Sequence, residues 1–195
     1  MSIISASDAL VLLKKGNERF VKGKSVFPHI STSRIHEISK TQMPFATILG
    51  CVDSRVPPEI VFDQGLGDLF IVRTAGQVLD TAVLGSIEYG VMVLNIPLVI
   101  VMGHSHCGAV KAALHSEEDH TTLPYDIDYL RKQMIIPLHQ AIDTYQADSS
   151  LDLINTAVVK QIEYVAQLLS ENIKVKEATI VKAYYDLDSG KVTFF

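Results

Sequence analysis

Tryptophan is absent from this chain of 195 residues, and cysteine occurs only twice, at Cys51 and Cys107. Two cysteines cannot build the disulfide framework of a small secreted domain. No run of about 18 apolar residues occurs, so no membrane-spanning helix is expected. Basic residues never cluster beyond the Lys14-Lys15 pair, and the formal charge is −5. That balance argues against nucleic acid or an anionic membrane as partner. The opening Met1-Ser2-Ile3-Ile4-Ser5 has no basic stretch leading into an apolar one. A secretory signal is therefore not expected, and the cytoplasm is the expected compartment, with free thiols or metal-bound ones. Internal repeats and low-complexity stretches are also missing.

What is present is enough for a full core: 48% of residues are hydrophobic and 20% charged. A single domain over 1–195 is expected, with an N-terminal helical arm over 1–42 and an α/β core over 43–195. Residues 7–23 read as a helix. Ser7 is the expected cap, Ala9, Leu10, Leu13 and Phe20 form the apolar stripe, and Gly23 is the stop. A short helix is expected near 33–39. Four apolar runs, 45–49, 69–72, 98–102 and 179–184, are continuous rather than alternating, as parallel strands covered on both faces require. Residues 81–94 read as a helix capped by Asp80. A last helix is expected from Ser150 to Asn172, with Leu151, Ile154, Val158, Ile162, Val165 and Leu169 at helical spacing. Asp188-Ser189-Gly190 is a turn returning an edge strand over 191–195. Strands alternating with helices imply an α/β class: a mainly parallel sheet of about four strands plus an antiparallel edge strand, flanked by helices. Helix 81–94 carries one charge, Glu88, and is apolar nearly all round. It must be covered on more than one side, by its own core or by a partner subunit.

Two segments carry the chemistry: Cys51-Val52-Asp53-Ser54-Arg55 and His104-Ser105-His106-Cys107-Gly108. Two sulfurs and an imidazole are three good zinc ligands, the number a catalytic zinc uses when its fourth position stays open. Each segment follows an apolar run, and functional groups of open parallel sheets collect at the carboxyl ends of strands. Gly50, Gly103 and Gly108 flank the three candidates and allow close backbone approach. On cysteine count alone, two buried structural thiols explain the pattern as well. Asp53 and Arg55 stand two apart, so an extended segment projects them to one side. The carboxylate can approach a metal or pair with the guanidinium fork.

These strings resemble the β-class carbonic anhydrases. The match runs through Cys51-Val52-Asp53-Ser54-Arg55-Val56-Pro57-Pro58-Glu59, then Phe62-Asp63-Gln64-Gly65-Leu66-Gly67-Asp68-Leu69-Phe70. It continues through Val83-Leu84-Gly85-Ser86-Ile87-Glu88-Tyr89 and Gly103-His104-Ser105-His106-Cys107-Gly108-Ala109-Val110. The resemblance implies one Zn2+ per chain on Cys51, His104 and Cys107. It implies reversible hydration of carbon dioxide to bicarbonate and a proton by a zinc-bound hydroxide. Asp53 would be either a fourth ligand that closes the site or the partner of Arg55. Gln42 matches the position that hydrogen-bonds substrate oxygen. Phe70, Ala75 and Tyr89 match apolar wall positions, and Gly108 would bring its amide near the site. The resemblance also implies a homodimer or homotetramer, with some wall residues supplied by the neighbouring subunit.

Other readings remain. A related electrophile, carbon disulfide or carbonyl sulfide, could use the same site. A non-catalytic zinc-stabilised oligomer, or a cysteine nucleophile with His104 as base, would leave Asp53, Arg55 or the second sulfur unexplained. His106 stands between the candidate ligands, where relatives commonly carry small or polar residues, and could relay protons or simply be solvated. One branch of the resembling family is inhibited by bicarbonate and carries tryptophan three residues before the first cysteine ligand. This chain has Ile48 there. The expected outcome of a bicarbonate titration is therefore simple product inhibition, and a cooperative loss of activity would contradict it.

Overall fold

All four apolar runs become parallel strands in the computed structural model, which describes residues 4–171 and 178–195. They are β1 (Ala46–Cys51), β2 (Leu69–Thr74), β3 (Leu98–His104) and β4 (Thr179–Tyr185). A short β5 (Val192–Phe194) returns antiparallel to β4, giving a five-stranded sheet in the order β2-β1-β3-β4-β5. Every residue of β1 and β3 is buried, which is why their sequences are continuously apolar. Both strands run two residues further than their apolar runs indicate. Ladder bonding carries β1 through Gly50 to Cys51 and β3 through Gly103 to His104. The candidate ligands thus close the strands and do not follow them.

Helix α1 (Ala6–Val21) is capped by Ser5, not Ser7: the Ser5 hydroxyl accepts from the Asp8 amide at 3.1 Å. It ends in a left-handed Gly23, φ +64°, with Lys24 N donating to Arg19 O at 2.8 Å. That is the Schellman pattern, and glycine is the residue that adopts it without strain. The N-terminal helix is docked on the core through buried Ala9 and Leu13. Asn17 stitches it down, donating to Val61 O and Gly190 O and accepting from Val192 N. The short α2 (Thr32–Ile38) buries nothing. Helix α3 (Pro58–Val61) and the 3-10 turn Ala75–Gln77 follow β1 and β2. Helix α4 (Thr81–Met92) is capped as expected, Asp80 accepting from Val83 N at 2.9 Å.

Besides the four-residue α3, two longer helices went unrecognised in the sequence. Helix α5 (Gly108–Glu118) opens on a glycine, a weak helix former. Helix α6 (Ile127–Ala147) carries Pro137 in its interior, which reads as a break. Tertiary packing overrides that signal, because Met134, Pro137, Leu138 and Ala141 bury one face against the core. The last helix, α7 (Leu153–Glu171), is capped by Asp152 and not Ser150; its carboxylate accepts from Asn155 N at 2.6 Å. The expected stop at Asn172 lies outside the described residues. Among the described residues no helix is long and apolar enough to cross a membrane.

One buried carboxylate organises the N-terminal part. Asp63, fully buried, accepts from Arg19 Nε at 2.5 Å, Val26 N at 3.1 Å and Phe27 N at 2.9 Å. Burial alone would raise its pKa, but the Arg19 guanidinium and the two amides outweigh it and hold the carboxyl below its ordinary value. A depressed folded pKa adds stability above the unfolded pKa and loses it as pH falls through the folded one. Asp63→Ala should therefore lower unfolding free energy at pH 7 by about 3 kcal/mol, measured by urea denaturation. The gap from wild type should narrow below pH about 4.

Candidate metal centre

In the sheet, β1 sits between β2 and β3, so the strand order reverses at the β1–β3 pair. Open α/β sheets place their working cleft at the carboxyl end of such a switch point. Cys51 closes β1 there and His104 closes β3. Cys107, three residues on, is the N-cap of α5. All three are buried, and their ligand atoms lie within 4.8 Å of one another.

These residues suit a zinc ion. The Cys51 and Cys107 sulfurs are 3.9 Å apart. Two sulfurs each about 2.3 Å from a tetrahedral zinc would stand about 3.8 Å apart. His104 Nδ1 lies 2.8 Å from Ser105 O, and a carbonyl only accepts, so Nδ1 carries the proton and donates. Nε2 is then a bare lone pair, and it is buried without a hydrogen-bond partner among the described residues. Such a backbone bond fixes tautomer and ring orientation, as it does in ligating histidines.

The two sulfurs lie within hydrogen-bond reach of each other, at 3.9 Å. Hydrogen bonding from Cys107 holds the Cys51 thiol far below its ordinary pKa, against the effect of burial, and the Asp53 and Gly76 amides add to it. Cys107 is pushed up, first as the donor in that bond and then by burial. The Val110 and Ala109 amides at the start of α5 oppose this only in part.

Asp53 stands outside this ligand cluster. Its Oδ1 accepts from Arg55 N and Nε, both at 2.9 Å, and its Oδ2 from Arg55 Nη2 at 2.7 Å. Arg55 keeps the carboxyl far below the usual carboxylate range. Asp53 is thus engaged by Arg55 on both carboxylate oxygens. His106 is exposed with φ +55°, its Nε2 3.4 Å from Asp188 Oδ2.

The expected substrate residues divide into two groups. Ala75 opens the turn after β2, and Gly108 begins α5 beside Cys107. A Cβ added at Gly108 would meet nothing within 4 Å, so open space adjoins that amide. Gln42, Phe70 and Tyr89 are elsewhere. Gln42 is exposed and precedes β1, at the opposite end of the strand from Cys51. Phe70 pairs with Thr47, four residues down β1 from Cys51 and about 13 Å away. Tyr89 packs against Phe70 with ring centroids 6.4 Å apart. One chain does not bring these three to the cysteines.

The carbonic anhydrase family model matches residues 46–192. The chain belongs to the carbonic anhydrase family, in its β class. It is 43% identical over 184 residues to carbonic anhydrase 2 of Mycobacterium tuberculosis, covering 92% of this chain and 87% of that one. Among solved structures it resembles the β-carbonic anhydrase CcaA, with a TM-score of 0.75, 26% identity, and coverage of 98% and 95% of the two chains. A solved chain from work on two tetrameric β-carbonic anhydrases of Sordaria macrospora shares the fold at a TM-score of 0.75 and 19% identity, covering 96% of this chain and 97% of that one.

The motifs of this family did not single out two backbone supports. Arg73, on β2, donates to Cys51 O at 2.7 Å and to Asp53 O at 2.6 Å. Gln161, on α7, donates to Gly76 O at 3.2 Å, bracing the turn whose Gly76 amide faces Cys51. Both act through main-chain atoms, so side-chain spacing carried no signal of them. Metal uptake must displace the proton that Cys107 holds. Zinc affinity, measured by chelator competition, should fall about tenfold for each pH unit lowered per proton released. Cys51→Ser and Cys107→Ser should each lose the metal.

Proposed function

We propose that this protein catalyses the reversible hydration of carbon dioxide to bicarbonate and a proton, with one zinc held by Cys51, His104 and Cys107. The observation that carries the reading is the buried sulfur–sulfur–imidazole cluster with a bare Nε2, next to a carboxylate tied on both oxygens to Arg55. A zinc bound there supplies a Lewis acid that makes hydroxide available near neutral pH.

The chain's own residues do the rest. Asp53 Oδ1 already accepts two hydrogen bonds, whereas Oδ2 accepts one from Arg55. A lone pair of Oδ2 is free to accept a hydrogen bond from the attacking hydroxyl group and so orient it. Arg55 keeps the carboxylate charged and turned to that task. The Gly108 amide, at the start of α5 and beside Cys107, would serve as a donor to a developing oxyanion. Ala75 forms a small apolar wall.

The remaining wall comes from a second copy. Helix α4 buries Val83, Ile87 and Val91 but exposes Tyr89 (47%), Met92 (52%) and Val93 (58%). Beside it β2 is a sheet edge with the apolar sequence Leu-Phe-Ile-Val. An apolar helix face next to an unpaired apolar edge calls for a cover. In a homodimer, or a tetramer built from it, that cover would carry Gln42, Phe70 and Tyr89 of one subunit to the zinc of the other. Gln42 then offers an amide donor to substrate oxygen, and the rings exclude water. The whole chain acts as one domain, and free metal-binding thiols suit the reducing cytoplasm.

Stopped-flow carbon dioxide hydration, with zinc measured on the same sample, tests this reading. About one zinc per chain and rapid hydration are expected, and a zinc-free sample with full activity would contradict it. Asp53→Ala should keep zinc and lose about 100-fold or more in kcat. Tyr89→Asp should sediment as a monomer, keep its zinc and lose activity.

A further inference from the structure

The Cys51–Asp53 segment leaves the ladder as it enters the site. Val52 N still reaches Thr74 O at 3.2 Å, but β1 ends at Cys51. Beyond that point the Asp53 carbonyl has two holds, a turn bond from Val56 N at 3.1 Å and the Arg73 guanidinium. Arg73 lies on β2 in register with Gly50, one step before the Thr74–Cys51 pair. Its Nε takes the carbonyl of the candidate ligand Cys51, and its Nη2 takes the carbonyl of the acid Asp53. Among the described residues both partners of this guanidinium are carbonyls, and it meets no carboxylate there.

We propose that Arg73 is a positioning residue that ties Cys51 and Asp53 to one planar group and thereby fixes the carboxylate relative to the metal ligands. The chemistry of the side chain supports it. Two carbonyls two residues apart need two donors in a rigid fork, which guanidinium has and an ammonium lacks. Arg55 cannot do this work, because it holds the Asp53 side chain and not its backbone. The two arginines are complementary: Arg55 turns the carboxylate, and Arg73 sets where its Cα stands.

This inference rests on the carbon dioxide reading, and its test separates the two. Arg73→Ala and Arg73→Lys are compared with wild type for zinc content, unfolding midpoint and hydration kinetics. Both variants should bind about one zinc per chain, with kcat and kcat/KM reduced together by about 10- to 100-fold. Guanidinium ion added to Arg73→Ala should restore about tenfold of the loss, whereas methylammonium should not. Wild-type kcat in Arg73→Ala, or a loss that guanidinium leaves untouched, overturns the proposal. If Arg73→Ala does not fold, Arg73→Lys decides, and wild-type kcat there overturns it. Cobalt-substituted protein gives a readout independent of hydration. The visible ligand-field bands should shift in Arg73→Ala and return with guanidinium. That response in a protein without hydration activity would remove the carbon dioxide reading and keep the positioning role. Active wild type with unmoved bands and unmoved kcat would do the reverse.

Discussion

The parallel pairing of β1 with β3 is the constraint on which the candidate centre depends. Thr47, Ile48, Leu49 and Gly50 stand in register with Val99, Ile100, Val101 and Met102. That register brings the ends of both strands to one level at the point where the strand order reverses. Cys51 and His104, far apart in the chain, then meet without a loop having to fold back between them. The paired strands are wholly buried, so a slip of register would expose a continuous apolar strand and bury polar neighbours in its place. The site inherits its rigidity from that cost. Helix α7 reinforces it at Gly103, where an added Cβ would fall 2.8 Å from Ile162. Only a residue without a side chain lets the helix lie this close to the strand that ends in His104.

Electrostatics completes what the register begins. Two sulfurs and a bare imidazole nitrogen, all buried, concentrate electron density that only a proton or a metal cation can balance. The surrounding donors are arranged for the charged form: amides of Gly76 and Asp53 face Cys51, and amides at the start of α5 face Cys107. The cations stand one layer out. Arg55 meets a carboxylate and Arg73 meets carbonyls, so neither competes with a metal for the sulfurs. This layering separates holding a metal from aiming a carboxylate beside it.

The chain also presents an unfinished surface. Residues whose counterparts the sequence associates with substrate fall at two ends of the sheet, and the far group lies next to the exposed face of α4 and the bare edge of β2. An apolar surface of this kind is costly to leave in water. Placement of Gln42, Phe70 and Tyr89 on or beside it links assembly to completion of the pocket in the proposed dimer.

The sequence by itself determined the fold class, the strand positions and the three candidate ligands. Continuous apolar runs have few uses besides buried parallel strands, and Cys-x-Asp-x-Arg with His-x-x-Cys is chemically specific. Local signals also located the Gly23 stop and the Asp80 cap, because such turns are decided within a few residues. Signals failed where several hydroxyls or carboxylates competed for one cap, as at Ser5 against Ser7 and Asp152 against Ser150. They failed again at α6, where Pro137 reads locally as a break and burial against the core overrides it. Only the tertiary structure decided the Arg73 contacts with Cys51 and Asp53, the His104 tautomer and the division of the expected substrate residues. Each is a relation between main-chain atoms or strand ends distant in sequence, and no side-chain pattern encodes such a relation directly.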